Sequence, residues 1–177
     1  MKTTLLYLLF CLSTSVFHPF ADWFLYKNQQ MSIEFPQEPN ITTQSVPTAV
    51  GDIEMKIASF ESKNEADSNL AYVFIASDYP DSLINSGKKE LLPQFFRASV
   101  DGAEKNVNGK LISEKEISIE GFPGREVNVD YGNGQAIISF RMYLVHNRAY
   151  FIQTLSETEK AANKDAIRFM NSFKLQR

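Results

Sequence analysis

Along most of the chain apolar residues recur at every second position. Only two stretches carry the three-and-four spacing of a helix that faces a core, so the pattern predicts strands, a helix, more strands and a closing helix. Short strands are expected over 23–26, over 31–35, where Pro36 and Pro39 end the run, and over 41–46, closed by Pro47. Past Gly51, the residues Ile53, Met55 and Ile57 alternate with Asp52, Glu54 and Lys56, the mark of a strand with one wet face. The segment 70–77 (LAYVFIAS) is apolar on both faces and belongs in the middle of a sheet, covered on both sides.

Residues Leu83, Ile84, Gly87, Leu91, Leu92, Phe95, Phe96, Ser99 and Val100 then repeat at helical spacing, with Lys88, Lys89, Glu90 and Arg97 between them. An amphipathic helix over 83–100 is the expectation. Strands over 110–119 and 125–131 follow, joined through the turn Gly121-Phe122-Pro123-Gly124, and the Gly132-Asn133-Gly134 link pairs 125–131 with 135–145. If His146-Asn147 is a two-residue turn, Val145 opposes Arg148, Tyr143 opposes Tyr150 and Arg141 opposes Ile152. One face of that hairpin then holds Ile138, Phe140, Met142, Leu144, Ala149, Phe151 and Leu155, apolar apart from Gln153, and should pack on a helix. The other face is mixed: Arg141, Tyr143, Val145, Arg148, Tyr150, Ile152 and Thr154. Ser156 and Glu159 have capping-box spacing, which predicts a last helix starting there with Ala162, Ala166, Phe169, Met170 and Phe173 buried. The expected fold is α+β: one domain over 22–177, with an antiparallel sheet of about 6–8 strands flanked by two main helices.

Composition adds a compartment. Lys2, the apolar run 5–12 (LLYLLFCL), the small polar residues Ser13, Thr14 and Ser15 and then Ala21 form the layout of a secretory signal, so residues 1–21 are expected to be a signal peptide and the protein to be exported, periplasmic or extracellular. The run is too short for a spanning helix, so no integral membrane span is expected once the signal is removed. Cys11 has bulky Phe10 before it rather than the small residue that lipidation needs. Removing 1–21 takes away the single Cys and one of two His residues and makes the formal charge of −3 one unit more negative. A thiol-free mature chain has no disulfide framework, no thiolate metal site and no cysteine nucleophile. Without clusters of Lys or Arg, nucleic acid is not an expected partner. The 14 Phe and 7 Tyr residues supply a large core.

Little in the chain points to catalysis. The mature chain would keep one imidazole, His146, which excludes a zinc site needing two His ligands, and there is no Gly-x-Ser-x-Gly elbow to hold a serine for it. Asp78 with Asp81 and Glu114 with Glu116 are paired carboxylates of the kind a hydrolase places in a cleft, but such charges are usually a solvated surface. No phosphate loop, dinucleotide fingerprint or calcium loop appears, and no cofactor is expected. The best candidate binding surface is the mixed hairpin face, where Arg141 and Arg148 offer forked donors and Tyr143 and Tyr150 offer aromatic faces. Against it stands the possibility that this face is a second layer of core, with each Arg answering a local carboxylate such as Glu126.

Several phrases together carry a family resemblance: Phe35-Pro36 after an opening strand with Trp23; Gly121-Phe122-Pro123-Gly124-Arg125-Glu126; Arg141-Met142-Tyr143-Leu144 with Tyr150; and Arg168-Phe169-Met170-Asn171-Ser172-Phe173. With them the chain resembles the bacterial group related to the photosystem II extrinsic protein PsbP and to the Ran-binding nuclear-import factor fold. That resemblance implies an antiparallel sheet flanked by helices, a PsbP-like sandwich, an exported location and a non-enzymatic role in binding or assembly. It supplies no catalytic set. The first expectation is therefore a non-catalytic domain that docks onto an unknown protein or envelope component; the alternative, read from the residues, is a periplasmic carrier of a small ligand in a pocket between the sheet and helix 83–100, where Gly87 would leave space.

Overall fold

The structure, a computed structural model, describes residues 23–48, 51–64 and 67–176. The expected signal segment, residues 1–21, lies outside the described residues. Ten strands and two α-helices occur among the described residues, in the order β1 (Phe24–Lys27), β2 (Met31–Phe35), β3 (Asn40–Thr48), β4 (Gly51–Glu61), β5 (Ala71–Asp78), α1 (Leu92–Asn106), β6 (Lys110–Ile119), β7 (Phe122–Tyr131), β8 (Ala136–Val145), β9 (Arg148–Glu157), α2 (Lys164–Ser172) and β10 (Lys174–Leu175). Seven of the strands form one antiparallel sheet in the order β3-β4-β5-β9-β8-β7-β6, and β1-β2-β10 form a second, small one. The α+β class stands, with a second sheet that the alternation pattern did not announce.

Each face of the large sheet carries its own core. On one face α2 and the small sheet bring Met31, Ile33, Phe35, Phe169, Met170 and Phe173 down onto Ala58, Tyr72, Phe74, Tyr143, Tyr150 and Ile152. On the other, Phe95, Phe96 and Val100 of α1 pack on Val127, Val129, Ile138, Phe140, Met142, Leu144 and Ala149. The pairing of β8 with β9 runs Val145↔Arg148, Tyr143↔Tyr150, Arg141↔Ile152, and the apolar set expected to meet a helix does meet α1.

Local chemistry sets the elements. His146 takes a left-handed φ of 52° in the β8–β9 turn. In β6 the register shifts between Leu111 and Ser113, and the bulge at Ile112 changes which residues face which layer. Leu111 stays with the α1 core while Ile117 and Ile119 pack toward α2 and the small sheet.

Three expectations are corrected. Helix α1 begins at Leu92, not 83, because Pro93 has no N–H and fits only the first turn of a helix, and it runs on through Gly102 to Asn106. Ahead of it, residues 79–91 fold into turns. The β6–β7 turn is the two-residue pair Glu120-Gly121, both at positive φ (47° and 86°), so Phe122, Pro123 and Gly124 already lie in β7. Ser156 does not cap a helix: it is buried in β9 and donates to Asn69 Oδ1 at 2.5 Å. The cap is Asn163, whose side chain accepts from the amides of Asp165 and Ala166 at 3.0 and 2.9 Å. Ala162 therefore precedes α2, and the buried stripe reduces to Ala166, Phe169, Met170 and the C-terminal Phe173.

Candidate functional site

Helix α1 lies over the sheet toward its β7 side. Its exit is tight there: a Cβ on Gly109 would come within 2.5 Å of Val129 Cγ1 and 2.6 Å of the Asp130 carbonyl oxygen. Glu104 on α1 accepts from the Leu111 amide at 3.1 Å, which holds the same end to β6. Toward β4 and β5 no such contact closes the gap, and a groove of about 660 Å³ opens between helix and sheet.

Its floor is Met55 of β4, Ile75 of β5, Phe151 and Gln153 of β9, Ile138 and Phe140 of β8 and Val129 of β7. The helix wall is Gln94, Ala98, Gly102 and Asn106, one i, i+4 row about 18 Å long at 1.5 Å per residue, backed by Phe95, Ser99 and Ala103. At Gly102 a Cβ would meet nothing within 4 Å. Small residues in the middle of the row keep the wall low.

The segment 79–91 closes one end with Tyr79, Leu83, Ile84 and Leu91. It is fastened to the β8–β9 turn. Ser86 donates its amide to the His146 carbonyl at 2.8 Å, the His146 amide donates to Ser86 Oγ at 3.1 Å, and Asn147 Nδ2 donates to the Tyr79 carbonyl at 2.6 Å. Asn85 Oδ1 accepts from the Gly87 amide at 2.8 Å and folds the segment back on itself. Gly87, expected to leave room for a ligand, does not line the groove; that part is played by Gly102.

Among the described residues no charged side chain lines the groove. The charges of α1 sit on its other flank, where Arg97 pairs with Asp101 at 2.7 Å and Glu114 at 2.8 Å, and Arg125 pairs with Glu114 and Glu116 while its guanidinium lies 4.6 Å over the Phe96 ring. Tyr79, edge-on to Phe95 at 5.6 Å, brings a phenol to the groove, and burial pushes its pKa up.

The four residues of the mixed hairpin face are placed as follows. Tyr143 and Tyr150 are buried, and both rings meet Phe173, at 5.9 and 5.2 Å. Arg141 donates to Glu126 at 2.6 Å and to Asn171 of α2 at 2.7 Å. Arg148 holds both carboxylate oxygens of Asp78. Arg148 and Tyr150 also border a smaller cleft of about 330 Å³ with His146 and Phe122. The face lies under α2 and the small sheet, and its phenols have raised pKa values because burial removes solvent from the ionised form.

The other candidates are also placed. The His146 ring stands on an exposed turn against Phe122, 5.0 Å between centroids. Glu114 and Glu116 share Arg125, Asp78 holds Arg148, and Asp81 accepts from Asn85 Nδ2 at 2.5 Å. Among the described residues no group of three His, Cys, Asp or Glu can hold a metal ion, and no helix is long and apolar enough to cross a membrane.

Sequence reasoning missed a buried amide cluster on the closed side. Asn69, fully buried, donates to Tyr72 Oη at 2.7 Å, accepts from Ser156, and shares hydrogen bonds with Asn163 at the start of α2. It ties the residues just before β5, β9 and the start of α2 together. Neither the protein-family models nor the curated proteins contain a match to this chain.

Proposed function

We propose that this is an exported, non-catalytic binding domain that carries a small apolar ligand in the groove between α1 and the sheet. The observation behind this reading is the groove itself: about 660 Å³, lined by Met, Ile, Leu, Val and Phe side chains with a few uncharged polar groups. Sites for small organic ligands have this size and this balance of apolar wall and sparse polar contacts. Docking through Arg141, Tyr143, Arg148 and Tyr150 is the weaker reading, because the two rings are in the core and the two guanidinium groups already have carboxylate partners. Export through the 1–21 signal and membership of the PsbP-like group belong to the same proposal, supported by the sequence phrases and by an antiparallel sheet with a helix on either side.

The test is binding of a neutral polarity-sensitive dye, N-phenyl-1-naphthylamine, to the mature chain. Wild type should enhance its emission saturably, and Gly102→Phe, which places a ring in open space on the groove wall, should weaken binding at least tenfold while leaving the circular dichroism spectrum unchanged. Equal dye binding by a folded Gly102→Phe variant would end the reading.

A further inference from the structure

Gln153 interrupts the apolar face of the sheet at its centre. Its register partners are Val73 on β5 and Phe140 on β8, and its neighbours on the same side of β9 are Phe151 and Leu155. Phe140, Phe151 and Gln153 all line the groove. Among the described residues its half-buried side-chain amide makes no hydrogen bond within the protein, so one carbonyl oxygen and two N–H donors at the groove are left to water or a ligand.

The electrostatics narrow what can meet that amide. A carboxylate or ammonium head entering the groove would leave water for a site with no countercharge, which disfavours the charged form. A primary amide can both donate and accept, so it matches an uncharged carbonyl, hydroxyl or amide. The wall row from Gln94 to Asn106 gives the apolar part about 18 Å to lie along.

Resting on the ligand-carrier reading above, we infer that the groove selects neutral amphiphiles, an apolar chain bearing one uncharged hydrogen-bonding group, and that Gln153 is the residue that reads that group. Gln153 is thus the specificity determinant, and the helix wall supplies the affinity.

The test uses displacement of the same dye by decanamide, 1-decanol, 1-chlorodecane, decanoate and decyltrimethylammonium at pH 7.5, with wild type, Gln153→Leu and Gln153→Met. Wild type should bind decanamide and decanol at least tenfold more tightly than decanoate or decyltrimethylammonium. Both variants should lose about 3- to 10-fold for decanamide, the range of one neutral hydrogen bond, while 1-chlorodecane binds them as well as before or better. Methionine keeps the side-chain length, so it separates lost hydrogen bonding from lost packing. If decanoate matches decanamide, or if the ratio of decanamide to chlorodecane is the same in all three proteins, the role of Gln153 is wrong although the groove still binds. If neither dye nor any decyl compound binds, the carrier reading itself fails.

Discussion

The two faces of the large sheet are covered by unequal means. One receives α2 and a three-stranded sheet; the other receives a single helix. Seven strands spaced about 4.8 Å apart span roughly 29 Å between the outer strand axes, whereas a helix with its side chains is about 10–12 Å across. A lone helix can shield two or three strands, and α1 shields the β7 and β8 side. What remains on the β4 and β5 side is apolar floor without a roof. The opposite face has no such shortage, and it is filled with rings: Phe169 stands edge-on to Phe35 at 5.0 Å and to Tyr72 at 5.2 Å, Trp23 meets Tyr72 at 5.9 Å, and the Arg168 guanidinium lies 4.4 Å over Trp23. One face is built for stability and the other keeps space.

The largest effect that tests this contrast comes from deleting one phenylalanine on each side. Phe169 is fully buried with aromatic neighbours on several sides, so Phe169→Ala should cost about 3–5 kcal/mol of unfolding free energy. Phe95 is also buried, against Tyr79 and Phe96, but part of its ring borders the open groove. Phe95→Ala should cost about 2 kcal/mol, because atoms facing a void lose fewer contacts. Urea unfolding of both variants decides it. Equal losses would mean that the groove face is as tightly packed as the closed one.

Alkaline titration asks the same question through protons. Tyr72, on the closed face, has its pKa raised to about 12, first by burial, with the Asn69 hydrogen bond acting in the opposite direction. Tyr143 and Tyr150 are shifted the same way for the same leading reason. An unfolded tyrosine ionises near pH 10, so between about pH 10 and 12 folded Tyr72 holds a proton that the unfolded chain has released. The stability tied to that proton is present in full below about pH 10 and is lost as pH rises through about 12, and Tyr143 and Tyr150 act in the same direction. Phenolate absorbance followed together with circular dichroism should show the closed-face tyrosines ionising only as the sheet melts. Complete ionisation near pH 10 with the fold intact would show that water reaches that layer.

Much of the groove face could be read from the sequence, because its information is local. The His146-Asn147 turn sets the β8–β9 register, and period-two alternation then sorts Phe140, Met142, Leu144, Ala149 and Phe151 onto one side. The closed face was harder. Arg141, Tyr143, Arg148 and Tyr150 look like a mixed surface until Phe35 and Phe173, more than a hundred residues apart in the chain, are brought over them. No short pattern encodes that meeting. The misplaced helix starts have a similar cause: Pro93 and Asn163 carried the correct signals, but the apolar spacing from Leu83 and the Ser156–Glu159 motif competed with them, and tertiary hydrogen bonds to His146 and Asn69 settled the matter. A pocket between sheet and helix was expected, but from Gly87; the residues that mark the groove are Gln153 on an otherwise apolar strand face and the small residues Ala98, Ser99, Gly102 and Ala103 on the helix.

Two glycines make the finest comparison. Gly124 sits on the closed face, where a Cβ would meet the Met142 carbonyl oxygen at 2.5 Å and Tyr143 Cδ1 at 2.6 Å, so Gly124→Ala should cost about 1–3 kcal/mol through overpacking. Gly102 is in the interior of α1 facing open space. Alanine there restricts the unfolded chain and favours the helix, and Gly102→Ala should add about 0.5–1 kcal/mol, visible as a rise in Tm. Its methyl group takes little of a groove of about 660 Å³, so dye binding should persist, in contrast to Gly102→Phe. A glycine whose replacement by alanine both stabilises the fold and leaves binding intact is not retained for backbone freedom. The argument for a ligand then rests on what the series from Gly to Ala to Phe does to occupancy: stability should rise at the first step, binding should fall only at the second, and a destabilising Gly102→Ala would mean that the wall is already closed.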